Sequence, residues 1–271
     1  MNIFKLEFKS QLHSMLVWGC ILSLTLIGLI SLFPAMQNDA MKALTDAKLQ
    51  SLPPAVLAAF GLTEMTDFTI LTNYFSVMIQ YINMAICVYA ATLGATALIK
   101  EETDGTIEYL YAQPVTRFDI VREKMLASVC AFAILPLLMG GISCILLAIV
   151  NKGKIPYMEL LEDVALTFSG LFFAGIVFMS IGFLASTLLK TSKQATPFAL
   201  GAVFGTFLIG VVSAMIKDLE FLVIFSPLDT VSPNKLMEKG FDIGGVLVGV
   251  ILILTCSALS FFIYNKKDFK I

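Results

Sequence analysis

Few residues in this chain are equipped for covalent chemistry. Glu101 and Glu102 form an adjacent carboxylate pair of the kind that activates water inside a membrane, but that use needs an EExxxR pattern and intramembrane histidines. Thr106 stands four residues after Glu102, and the only histidine is His13. No HExxH occurs, and no GxxxxGK[ST] loop is present to cradle a nucleotide phosphate. The five cysteines, Cys20, Cys87, Cys130, Cys144 and Cys256, are scattered through apolar runs without a CxxC, which reads as small hydrophobic residues rather than a disulfide framework or a zinc site. The expectation is a chain with no catalytic residue, no metal and no cofactor of its own.

Two polar groups remain to be explained. Asn73, Ser76, Gln80, Asn83 and Cys87 follow spacings of 3, 4, 3 and 4, so they share one face of a helix. Amide side chains in so apolar a setting need partners or water. One reading is hydrogen bonding between helices. The other is a wet seam in which Asn73, Ser76, Gln80 and Asn83 line a pathway. The face continues to Ala90 and Gly94, small enough for close helix approach. The second group is the stretch 100–124, KEETDGTIEYLYAQPVTRFDIVREK, with six acids: Glu101, Glu102, Asp104, Glu108, Asp119 and Glu123.

The elements that must hold these groups are membrane spans. Of 271 residues, 58% are hydrophobic and 14% charged, and mean hydropathy is +0.89. A soluble domain needs more charge to cover its surface. The net charge of −2 argues against a nucleic-acid partner. Runs free of Asp, Glu, Lys and Arg cover 10–38, 68–99, 125–151, 164–189, 194–216 and 243–265. Each exceeds the ~20 residues that cross a ~30 Å hydrocarbon core as a helix. The fold class is therefore an all-α integral membrane protein, one domain over 1–271. Its six transmembrane helices are placed at about 14–33, 70–99, 125–150, 164–189, 195–216 and 243–264. A run at 221–228 is too short to span and ends in Ser226-Pro227, so it reads as a re-entrant or interfacial piece. With both termini in the cytoplasm, the inner segments hold eleven Lys and Arg and the outer segments seven, which favours that orientation.

Three smaller elements complete the expectation. Phe4, Phe8 and Leu12, with Lys5 and Lys9 beside them, predict an N-terminal interfacial helix over 2–14. Pro53-Pro54 before and Gly61 after predict a short helix over 55–60 in the outer loop 34–67. Within 100–124, Gly105 breaks the preceding helix. Ile107, Leu110 and Tyr111 give a short amphipathic turn, Pro114 stops it, and Thr116 with Asp119 resembles a capping box. The product is a helical hairpin below the membrane, the one inner segment large enough to dock a cytoplasmic partner. Gly201 with Gly205 and Gly245 with Gly249 are GxxxG pairs, read first as packing within the bundle and second as a dimer contact.

At this hairpin the sequence resembles the ABC-2 family of ATP-driven export permeases. Glu102, Gly105-Thr106, Glu108, Leu110, Pro114, Arg117 and Lys124 carry the likeness. LPPAVLAAFG at 52–61, Ser226-Pro227 and FIYNKKD at 262–268 match more weakly. The resemblance implies a permease subunit in the inner cell membrane, paired with a second copy or a paralogue. A separate cytoplasmic ATPase subunit would carry the ATP and Mg, and the hairpin would be its coupling element. Coupling residues would be Glu101, Glu102, Asp104, Gly105, Thr106, Glu108, Leu110, Pro114 and Arg117. Spans without charge suit amphipathic or apolar cargo: a peptide, a drug or a lipid-like molecule. A secondary transporter would show intramembrane charge or a clear internal repeat, and neither is evident; a structural membrane protein is the remaining alternative.

Overall fold

The computed structural model describes residues 3–53, 56, 57, 62, 67–108 and 114–267, with backbone alone at 214, 217 and 220. Among these the chain is helical throughout and contains no strand. Helices α1 (Ile3–Ser31), α2 (Phe33–Met36) and α3 (Asp39–Ser51) are followed by α4 (Leu71–Ala97), α5 (Lys100–Thr103), α6 (Arg117–Asn151) and α7 (Tyr157–Leu188). After a 3-10 turn at Ser192–Gln194 come α8 (Ala195–Met215), a 3-10 stretch at Lys217–Phe225, α9 (Pro227–Thr230), α10 (Pro233–Lys239) and α11 (Ile243–Lys266). Six helices, α1, α4, α6, α7, α8 and α11, are long and apolar enough to cross a membrane. Because six is even, the described chain begins and finishes at one end of the bundle, here the terminal end; the opposite end is the far end.

Helices α4 and α7 are the centre. In their most apolar stretches 67% and 61% of residues are buried, against 22% and 17% in α8 and α11. The pair run parallel and touch backbone to backbone. A Cβ on Gly94 would lie 2.1 Å from the Met179 carbonyl oxygen, and one on Gly182 would lie 2.3 Å from that of Ala91. Only glycine permits such approach, and it maximises dispersion contact where lipid offers no hydrophobic drive. Around this pair α1 packs along α6, α6 along α7 with the Phe132 ring over Gly175, and α11 along α7 with Phe173 and Val177 over Gly249. The two glycine pairs thus part company. Gly245 and Gly249 are covered within the chain, by Thr230 and by α7, while among the described residues nothing lies within 4 Å of a Cβ on Gly201 or Gly205.

Several local expectations meet a different outcome. The segment 2–14 is not a separate interfacial helix: from Ile3 it is the first part of α1, which runs unbroken to Ser31. Its buried stripe is Ile3, Glu7, Gln11 and Met15 rather than Phe4, Phe8 and Leu12. Most of the helix expected over 55–60 lies outside the described residues. The loop 34–67 does contain α3, opened by the Asn38 side chain accepting from the Ala40 N–H, with Asp39 in the first turn and Lys48 in the last to suit the helix dipole. The Thr116–Asp119 capping box is present, and the helix it opens, α6, begins at Arg117, eight residues before the expected span.

Candidate functional site

At the terminal end, α4 stops at Ala97 and the chain turns through Leu98, whose N–H donates to Ser186 Oγ of α7 at 2.9 Å. One turn of helix follows, α5. It closes over Gly105, which sits at φ +68°, with the Thr106 N–H donating to the Glu101 carbonyl at 2.9 Å. A left-handed glycine with an i→i−5 bond is a common helix end, and it explains why glycine stands there.

The hairpin residues divide into two sets. Asp104, Gly105, Thr106 and Glu108 are exposed, as is Pro114, and Leu110 lies outside the described residues. Glu101 and Glu102 instead turn into the protein. Glu101 accepts from Lys124 Nζ at 2.5 Å, and Glu102 from Lys267 Nζ at 2.6 Å. Arg117 Nη1 donates to the Asn265 and Lys267 carbonyls at 3.0 and 2.8 Å. Thr103 Oγ1 accepts from the Ser192 N–H at 2.9 Å. An exposed turn therefore stands on a base tied to α6, to the 189–194 connection and to the end of α11.

Beneath that base lies a buried ionic cluster that sequence reading missed. Lys124 is 1% exposed, and its ammonium donates to the Ala97 carbonyl at 2.6 Å and to Glu101, with Glu7 Oε2 at 3.4 Å. Lys100 Nζ donates to Glu7 Oε1 at 2.8 Å. Gln11 Nε2 reaches both Glu7 Oε1 and Ser128 Oγ at 2.8 Å. Three donors on Lys124 meet three acceptors, and two acids balance two bases, which is what a buried ion set requires. The signal was available: Glu7 and Gln11 lie on the stripe of Ile3 and Met15, and Lys124 on that of Ile120 and Ser128.

Toward the far end, the amide face of α4 meets α10. The Ser76 hydroxyl, 2.8 Å from the Asn73 carbonyl, donates to Asn234 Oδ1 of α10. Asn83 Oδ1 accepts from Cys87 Sγ at 3.4 Å. Among the described residues, Gln80 Oε1 and, on α7, Thr167 Oγ1 are buried without a hydrogen-bond partner, as are Gln11 Oε1 and Tyr89 Oη elsewhere in the bundle. The Leu98–Ser186 bond sets an offset of 88 residues between the parallel helices, which puts Gln80 and Thr167 at the same depth. Helix α10 packs on both α4 and α7, with Leu236 against Gly170. The buried part of the 217–239 region is thus 226–236, while Phe221 and Phe225 in the 3-10 stretch before it are exposed. Asp229 of α9 accepts from Ser226 Oγ at 2.9 Å, and its carboxylate occupies the space a Cβ on Gly210 would need. Burial raises its pKa above the ordinary carboxylate value, partly offset by Lys235 and the Ser226 hydrogen bond.

Six long apolar helices, four of them about a glycine-packed pair, with a polar platform at one end, define a multi-pass membrane protein. The family model described as ABC-2 family transporter protein matches residues 1–269, and the chain belongs to that family. It is accordingly a membrane permease of the ABC transporter type, whose family implies a partner ATPase. No curated protein matches the sequence.

Proposed function

We propose that the chain is the membrane-spanning subunit of an ATP-driven exporter, set in the inner cell membrane with both termini in the cytoplasm and paired with a second copy or a paralogue. The cargo is amphipathic or apolar, a peptide, drug or lipid-like molecule. The observation that carries the reading is the terminal-end platform. Asp104, Gly105, Thr106 and Glu108 project from a base held by Glu101, Glu102 and Arg117. A partner that hydrolyses ATP must push on something that does not yield locally, and this turn fits that need. ATP then favours one arrangement of the spans over another, and that difference is the work available for transport. In this scheme the α4 face of Asn73, Ser76, Gln80 and Asn83 lines the route, and Gln80 Oε1, without a partner among the described residues, finds one in water or cargo.

The test is co-expression with the cognate ATP-binding-cassette subunit and purification in detergent. The unaltered chain is expected to give a stoichiometric complex with ATPase activity. Gly105→Pro, incompatible with φ +68°, and the exposed pair Asp104→Arg and Glu108→Arg should weaken that complex about tenfold or more, with the permease still monodisperse. A permease that purifies alone, whatever the ATPase level, ends this reading.

A further inference from the structure

We propose that Glu7, Lys100, Glu101 and Lys124 form a positioning network that couples the 98–108 segment to the start of α1, so that force on the exposed turn moves α1 and α6 together rather than bending the end of α4. The inference rests on the permease reading for the source of the force.

The geometry is that of a junction. Four parts of the chain meet there: α1 through Glu7 and Gln11, the last carbonyls of α4 through Ala97, α5 through Lys100 and Glu101, and α6 through Lys124 and Ser128. Sequence neighbours alone do not join α1 to α5; Glu7 and Lys100 are 93 residues apart, and the bond between them is 2.8 Å. Glu7 is 5% exposed and receives both lysines, so it is the one carboxylate through which α5 and α6 both reach α1. Lys124 does two jobs at once. It neutralises Glu7 and Glu101, and it satisfies a carbonyl at the C-terminus of α4, where the helix dipole favours a cation. Ions so enclosed have few alternative partners, and separating them exposes unpaired charge to a poor solvent. The junction therefore resists shear between α1 and α5.

The network predicts how a nucleotide-driven movement spreads. Hydrogen exchange of the complex with the cognate ATPase subunit, compared between ADP and a non-hydrolysable ATP analogue, reads this without knowledge of the cargo. In the unaltered chain both 98–108 and 3–15 should change protection with nucleotide. In Glu7→Gln the change at 98–108 should persist while that at 3–15 falls about tenfold. Lys100→Gln, altering a partly exposed residue that the fold tolerates more readily, should act in the same direction, and Lys100→Arg should keep the response at 3–15. A residue that merely stabilises the fold would loosen both segments equally in both nucleotide states. If 3–15 responds as strongly in both neutral variants as in the unaltered chain, or does not respond in the unaltered chain while 98–108 does, the network is not the coupling path. If nucleotide changes neither segment in an intact complex, the coupling role of the hairpin fails first and the network proposal falls with it.

Discussion

In the part of α4 nearest the terminal end, residues 90–97, Gly94 lies on the backbone of α7 and the Ala97 carbonyl is bound by a buried lysine. In the far part, residues 73–83, buried Phe75 and Ile79 are accompanied by side-chain amides and a hydroxyl that meets the short helix α10, and among the described residues the Gln80 amide oxygen has no partner. The first region is closed by groups that have nowhere else to go. The polar contacts of the second are neutral side chains, which exchange for water at less cost than buried ions. On the function proposed above, one helix joins a stiff half, which would transmit force, to an adaptable half, which would open. The difference is chemical, since both halves belong to one unbroken helix.

The largest expected effect breaks the stiff half. Lys124→Met leaves Glu7 with Lys100 alone, strips Glu101 of its close partner and uncaps Ala97, and should cost about 3–5 kcal/mol in reversible unfolding in detergent. Arg122→Gln two residues earlier removes a pair with adjacent Glu123 at a half-exposed site and should leave stability nearly unchanged. Equal losses in the two variants would show that the cluster is no more than a surface array.

Next comes the glycine contact. Gly94→Ala forces a methyl group against the Met179 carbonyl, and the neighbouring backbone must move, at about 1–3 kcal/mol. Gly201→Ala meets nothing within 4 Å and should stabilise α8 by up to about 1 kcal/mol. Opposite signs in thermal unfolding are the result to look for. Destabilisation at both positions would mean that the open face of α8 is covered by something beyond the described residues.

The adaptable half should respond less. Ser76→Ala and Asn234→Ala each remove one side of a single hydrogen bond between α4 and α10. In a double-mutant cycle their coupling should be about 0.6 kcal/mol, the scale of such bonds within membranes. A coupling as large as the Lys124→Met loss would erase the contrast between the halves.

How much of this was legible in sequence depended on whether charge marks an edge. Uncharged runs located all six long helices, because lipid leaves the backbone no alternative to helix. Thr116 and Asp119 announced their cap because that signal is local. Gly94 was readable as a close contact, though not its partner Gly182, since pairing between α4 and α7 is a tertiary fact. Treating every lysine and glutamate as surface hid Glu7 and Lys124, which sit on apolar stripes and are buried as a set. Glu101 and Glu102 were grouped with the exposed acids because spacing gave no hint of Lys124 and Lys267. Helix α3 was passed over because its mixed charges read as a loop, and α10 because seven residues carry too little periodicity. Asn234, the partner of Ser76, was therefore missed as well.

The smallest effect concerns Asp229, where the far end keeps a carboxylate against Gly210. Its pKa in the folded chain is raised from 3.8, chiefly by burial. The folded state then holds its proton more tightly than the unfolded state does. Stability from this site is full below the unfolded value and declines as pH rises through the interval between the two pKa values; above the folded value the loss is complete. Asp229→Asn, which keeps an oxygen for the Ser226 hydroxyl, should remove that part of the decline while leaving stability at the acid end of the range nearly unchanged. Measured as thermal unfolding of the detergent-purified permease from pH 4 upward, a variant that retains the full slope would assign the decline to other groups. A slope that vanishes would show that the far end holds its charge loosely, where the terminal end locks its own in place.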